Sequence, residues 1–262
     1  MITDFCQRWR DRRGVYRPAG EPFDPRAFEV AAIGEDGPAK AFVEAHHYSG
    51  SYPVARRRFG LYQRDELVGV AVYSQPMNDA SLRPFTRDDA AELGRLVLLD
   101  RVGANAESWF VARTFELLRG DLGAVVSLSD PEPRTTAAGG EVFRGHIGTV
   151  YQALSARYTG RSTPRTQRLL PDGSVLNDRA LQKVRARERG WRYVVRQLVE
   201  AGVPEPVDDD LAAWLRAELP RVTRSRRHPG NHRYVFPLSR SARRAAPASL
   251  PYPKFDLFGR AA

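Results

Sequence analysis

"ELGRLVLLDRVGANAESWFVARTFELLRGDLGAVVSLSD", residues 92–130, decides the fold. The run "ELGRLVLLD" (92–100) is too short and too continuously apolar for a surface helix and reads as a buried strand. "NAESWFVARTFELLRG" (105–120) carries Phe110, Val111, Phe115, Leu117 and Leu118 at helical spacing, with Asn105 suited to the N-cap and Gly120 to the stop. "AVVSLSD" (124–130) is a second buried strand, closed by Asp130 and Pro131. A strand–helix–strand unit of this kind calls for a mixed α/β sheet.

Working outward, "FEVAAI" (28–33) reads as a strand and "GPAKAFVEAHHY" (37–48) as a helix beginning at Pro38. "RRFGLY" (57–62) and "LVGVAVYS" (67–74), joined by "QRDE", give a β-hairpin. Beyond residue 161 the texture turns Arg-rich, with a Pro-Asp-Gly turn, two short helices and an acid-capped helix in "DDDLAAWLRAEL" (208–219). "NHRYVFPL" (231–238) closes the sheet. The organisation expected is a basic arm (1–27) broken by prolines, an α/β core (28–161), an Arg-rich insertion (162–230), and a closing strand with a tail (231–262).

The formal charge is +10 and the pI near 10.1, carried almost wholly by arginine, since Lys40, Lys183 and Lys254 are the only lysines. Arginine grips phosphate with a planar fork and stacks on bases, so nucleic acid is the expected partner. A GC-rich genome would explain the Arg-for-Lys ratio but not the surplus of positive charge. The single cysteine, Cys6, allows no internal disulfide, and no window approaches the roughly 18 apolar residues of a membrane helix. The N-terminus also lacks a signal peptide's apolar core, so a soluble protein of the cytoplasm is expected. Monomer and homodimer are both left open.

The junction "LDRVGANAES" joins strand to helix through a tight turn. The first turn of a helix exposes unpaired N–H groups and the positive end of its dipole, which favours a phosphate or pyrophosphate. Arg101 adds charge, Gly103 permits close approach, and the backbone of Asn105, Ala106, Glu107 and Ser108 would supply donors. The bland reading is that Asn105 simply caps the helix.

In order along the chain, "HHY" (46–48), "ELGRLVL" (92–98), "NAESWF" (105–110) and "GHIGTVYQA" (145–153) form a set that resembles the Mom family of phage DNA-modification proteins. That family is similar in turn to the GCN5-related N-acetyltransferase (GNAT) fold. The resemblance implies a largely antiparallel mixed sheet flanked by helices. It also implies an acyl-coenzyme A such as acetyl-CoA at the 103–108 turn, and an enzyme adding a carbamoylmethyl-type group to the exocyclic amine of adenine, which protects DNA from restriction. The run Arg101-Val-Gly-Ala-Asn-Ala has one glycine where ordinary acetyltransferases have Gly-x-Gly or Gly-x-Ala.

Attack by an adenine amine needs a proton acceptor, and the leaving group needs a donor. Asp130 is the expected base or amine anchor and Tyr151 the proton donor or stacking group, with His47, Tyr48 and His146 lining the same cleft. Adjacent His46 and His47 cannot both face it from a helix. Each has an ordinary alternative: Asp130 could start a turn, Tyr151 could be core, and His146 could be a loop residue. His47, His146 and Asp130 could also form a non-haem iron triad, but no local ligand spacing supports a metal.

To react, the adenine of double-stranded DNA must be flipped into a pocket lined by aromatic rings, for which Tyr48, Tyr52, Trp109 and Tyr151 are available. Arg56, Arg57, Arg58, Arg161, Arg165, Arg185, Arg189 and Arg192 are the expected backbone contacts, the last three with Arg196 forming one helical face if the helix ran through Gly190. Two rivals stand beside this reading: a GNAT N-acyltransferase acting on a small amine or protein, and a non-catalytic DNA-binding protein.

Overall fold

The structure is a computed structural model that describes residues 5–10, 13–18 and 23–254. The chain divides into two compact units. The first comprises residues 1–131, 145–162 and 231–262, and the second residues 132–144 and 163–230.

The first unit begins with a hairpin, β1 (Phe5–Arg10) and β2 (Arg13–Pro18), where the sequence suggested an arm. There follow β3 (Glu29–Ala32), α1 (Asp36–His46), β4 (Ala55–Gln63), β5 (Glu66–Ser74), β6 (Ala90–Leu98), α2 (Ala106–Leu118) and β7 (Ala124–Ser129). In the second unit lie β8 (Arg134–Thr135) and β9 (Glu141–Phe143). The first resumes with α3 (Thr149–Ala153) and β10 (Arg157–Arg161). The second continues with β11 (Arg165–Leu169), β12 (Val175–Leu176), α4 (Asp178–Ala186), α5 (Trp191–Glu200), α6 (Leu211–Val222) and β13 (Arg224–His228). β14 (His232–Pro237) and α7 (Arg240–Ala245) complete the first.

The central sheet has seven strands in the order β10-β14-β7-β6-β5-β4-β3. Every neighbouring pair is antiparallel except β6 and β7, which α2 connects in parallel. That parallel pairing is brief. It covers Ala90↔Ala124, Ala91↔Val125 and Glu92↔Val126, after which β6 runs on to Leu98 and β7 to Ser129 without pairing to each other. The sheet therefore opens at its middle, on the side where α2 begins and Asp130 ends β7.

One face of the sheet packs Ala71, Tyr73, Ala91, Leu93, Leu98 and Val125 against Phe110, Val111 and Leu118 of α2. The other packs Val70, Val72 and Val97 against Ala39 and Val43 of α1. Burying such aliphatic side chains stabilises by roughly 1.5–3 kcal/mol each. A bulge at Gly94 shifts the register from Val72↔Arg95 to Tyr73↔Leu93, placing Glu92 and Arg95 on the same face. Strict alternation would have put them on opposite faces.

The second unit has its own core, in which Leu170, Leu176, Leu181, Val184, Leu198 and Leu215 are buried among α4, α5 and α6 beside the sheet β12-β11-β13. A single helical face through Gly190 does not form. α4 ends at Ala186, Arg187 and Gly190 both adopt left-handed backbone angles (φ 50° and 89°), and α5 starts afresh at Trp191. Arg185, Arg189 and Arg192 consequently sit on a helix end, a turn and a new helix.

Candidate active site

The opening between β6 and β7 gathers a polar group from both faces of the sheet. α1 ends at His46; His47 turns extended (ψ 137°), its N–H still bonding the Val43 carbonyl at 2.9 Å. This turn buries His47 and leaves His46 half-buried against Phe42, which resolves which histidine faces inward. The Nδ1 of His47 accepts from the Ser49 N–H at 3.1 Å, so its proton resides on Nε2. Burial, then the charges of Arg95 and His146, hold its pKa well below the ordinary histidine value. The ring is therefore neutral at physiological pH, and Tyr48 lies on it with centroids 4.2 Å apart.

Sequence reading passed over Glu92 and Arg95. Glu92 is deeply set, and burial raises its carboxyl pKa against the opposing pull of Arg95. Arg95 is held in place, donating to the Ser51 carbonyl at 2.8 Å, the Ser51 hydroxyl at 2.9 Å and the Gly94 carbonyl at 2.5 Å. A carboxylate next to a fixed guanidinium, its pKa raised by burial, is suited to accept a proton.

Tyr151, on α3, is buried, and burial is the main reason its phenol stays protonated well above the usual range. Tyr48, Glu92, Ser127 and Tyr234 are all within electrostatic reach of that phenol. α3 starts at Gly148, whose φ of +73° suits glycine. A Cβ there would lie 2.7 Å from the Tyr151 ring, 2.8 Å from Tyr234 and 3.2 Å from Ser129 Oγ. The "GHIGTVYQA" turn thus brings its backbone onto β7 and β14. His146 is tied to the tip of β7 by its N–H, which donates to the Asp130 carbonyl at 2.8 Å, and it is electrostatically coupled to both His47 and His232. Asp130 is half-buried at this tip.

At the other lip of the opening, α2 begins without the expected cap. Asn105 occupies the N-cap position but is left-handed (φ 68°), and its side chain makes no capping bond. No side-chain cap from Asn105 therefore takes up the amides of the first turn, Ala106 to Ser108, which would suit an anion. Arg8, from β1, is buried beside them; it donates to the Gly103 carbonyl at 2.8 Å and pairs with Glu107. Arg101 points elsewhere, paired with Glu66 at the surface, so Arg8 takes the place that sequence assigned to it. These groups fit a pyrophosphate, which the backbone donors of 106–108 would hold.

Several expected cations are already engaged. Arg56 donates to the carbonyls of Ala90 (2.7 Å) and Arg87, Arg57 pairs with Asp121 at 2.9 Å, and Arg58 pairs with Asp36 at 2.5 Å. Tyr52 hydrogen-bonds that same Asp36 at 2.9 Å, and burial raises its pKa to about 12. Trp109 packs edge-on against Phe23, with centroids 5.6 Å apart. Arg161 hydrogen-bonds the Tyr158 phenol. In the second unit, Arg165 stands exposed opposite His228 in the β11–β13 pair, and Arg192 stacks on Trp191 at 4.8 Å. Arg185, Arg189, Arg196 and Arg227 have no ion pair or hydrogen bond from their side chains among the described residues. No group of three His, Cys, Asp or Glu side chains among the described residues is placed to hold a metal, so the iron triad of His47, His146 and Asp130 does not assemble. No helix among them is long and apolar enough to cross a membrane.

A seven-stranded, mostly antiparallel sheet with one parallel pair, flanked by helices, defines a mixed α/β protein. Residues 27–254 match the model of the Mom protein family. The chain belongs to that family. Among solved structures it is similar to a tandem GNAT protein from the clavulanic acid biosynthesis pathway, determined without acetyl-CoA. Identity there is 11%, with 83% of this chain and 85% of that chain covered and a TM-score of 0.37. It is also similar to a candidate acetyltransferase from Pyrococcus horikoshii, at 10% identity, 83% and 92% coverage and a TM-score of 0.38. A comparison with curated proteins finds no match.

Proposed function

We propose that this protein is a transferase that modifies the N6 amine of adenine in double-stranded DNA with a carbamoylmethyl-type group. The observation that carries the proposal is membership of the Mom family over residues 27–254; the raised pKa of Glu92 and its place within electrostatic reach of the Tyr151 phenol support it. An acyl-coenzyme A, with its pyrophosphate on the amides of 106–108, would give an N6-acyl product by displacement of its thiolate; the carbamoylmethyl-type product instead needs a donor whose leaving group sits on the methylene carbon that becomes joined to N6.

The chain's own groups divide the work. The adenine amine is a poor nucleophile because its lone pair is drawn into the ring, so it must lose a proton as its bond to carbon forms. Glu92 receives that proton, and its raised pKa matches it to the task. As the bond to the leaving group breaks, the Tyr151 phenol supplies a proton to that group; burial keeps the phenol protonated. Asp130 anchors the amine from the tip of β7. The neutral ring of His47 orients Tyr48, which forms an aromatic wall for the flipped base. Arg185, Arg189, Arg192, Arg196 and Arg227 of the second unit would hold phosphates.

Plasmid DNA from cells expressing the chain tests this reading. It is expected to resist restriction enzymes whose sites contain adenine, while plasmid from cells expressing Glu92→Gln is cut. Full cutting of both would refute the proposal.

A further inference from the structure

Among the buried polar side-chain atoms without a hydrogen-bond partner in the described residues are Ser129 Oγ on β7 and Nε2 of His232 on β14. The two residues are direct register partners, and each is no more than 1% exposed. Leaving such atoms unmatched is costly, so native proteins rarely do it without a use for them.

The rest of the ring bears on what Nε2 presents. The Tyr158 hydroxyl is 2.9 Å from His232 Nδ1, and Arg161 also hydrogen-bonds that phenol. A guanidinium can only donate, so the phenol oxygen accepts from Arg161, and in the tautomer that uses the phenol's own proton that proton goes to Nδ1. Burial, then the charges of Arg161 and His146, lower the pKa of His232 to about 4, so the ring is neutral. In that tautomer its one N–H is on Nε2, a donor shielded from bulk water. The opposing Ser129 hydroxyl can accept. Ser129 Oγ also lies beside the backbone of Gly148, which joins this pair to Tyr151.

We propose that His232 and Ser129 read the Watson–Crick edge of the extruded base, with Nε2–H donating to adenine N1 and Ser129 Oγ accepting from an N6–H. This rests on the adenine reading above and names the residues that choose the base. Guanine offers the reverse pattern, an O6 acceptor and an N1–H donor, and its N1–H would meet the His232 N–H head on. Neither residue takes a proton in the reaction; both position the amine.

The test uses the full chain and synthetic duplexes with adenine, 1-deazaadenine or 7-deazaadenine opposite an abasic site, with binding followed by fluorescence anisotropy. Loss of N1 should weaken binding to the wild-type chain roughly tenfold to a hundredfold, the range for one lost base contact, while loss of N7 changes little. His232→Phe should bind adenine and 1-deazaadenine alike, whereas His232→Gln, which keeps an N–H donor, should retain part of the preference. Equal binding of both bases by the wild type means that only water pairs with Nε2, and that result overturns the proposal even if the phenylalanine variant fails to fold. An undiminished N1 preference in a folded His232→Phe overturns it too. If the wild type modifies no adenine in cells, the adenine reading fails instead, and the two failures are told apart.

Discussion

Arg8, the buried cation of β1, is paired with Glu107 in the first turn of α2. The pair ties the N-terminal hairpin to the turn that would hold an anionic donor, and it neutralises a carboxylate that would otherwise repel one. Breaking a buried pair by removing one partner typically costs about 3–5 kcal/mol. Arg8→Ala should lose about that much stability in urea unfolding and should weaken acetyl-CoA binding in calorimetry. The double variant Arg8→Met with Glu107→Leu should recover most of the stability.

Glu92→Gln should leave the fold intact and reduce adenine modification by about 10²- to 10⁴-fold, the usual loss with a general base. Because burial raises the Glu92 pKa, the working carboxylate is lost as pH falls through a value above that of an ordinary glutamate. Rates of the wild type should decline on the acid side earlier than for an exposed carboxylate, and the variant's residual rate should lack that limb. An unchanged limb in the variant would assign it to another group.

Much of this architecture can be read from residues alone, and the reasons for the exceptions are physical. The strand–helix–strand unit at 92–130 and the hairpin at 57–74 are local patterns of apolar spacing, and each forms where that spacing places it. The partners of Arg56, Arg57 and Arg58 are remote: backbone carbonyls at 87–90, Asp121 and Asp36, which no reading of "ARRRF" in isolation can supply. Glu92 was passed over because it opens a run that reads as a buried apolar strand; the bulge at Gly94 puts it on the same face as Arg95, and burial raises its pKa. Arg8 was passed over because its contacts with Gly103 and Glu107 span almost a hundred positions of chain.

Gly148→Ala would put a methyl within 2.8 Å of the Tyr151 and Tyr234 rings, at a backbone angle alanine disfavours. Overpacking of this kind costs about 1–3 kcal/mol, with the left-handed strain added. Thermal unfolding should show a lowered midpoint. Modification should fall further than stability does, because the displaced ring is the proposed proton donor.

His232 supplies a pH signature of its own. Its folded pKa of about 4 lies below the unfolded value near 6.5, so its contribution to stability is full above pH 6.5 and is lost as pH falls toward 4. The amount at stake is about 3 kcal/mol, from 1.36 kcal/mol per unit of pKa. His232→Gln should therefore lose less stability than the wild type between pH 6.5 and 4 in urea titrations. Parallel curves would contradict the buried, neutral ring.

The central claim is that the crevice between β6 and β7 modifies adenine, and the most direct measurement weighs the nucleosides. DNA from cells expressing the chain would be digested to nucleosides and analysed by mass spectrometry beside DNA from cells expressing Glu92→Gln. A deoxyadenosine carrying an added carbamoylmethyl-type mass on N6, present with the wild type and reduced at least a hundredfold with the variant, is the expected result. Deoxyadenosine unchanged in both would contradict it.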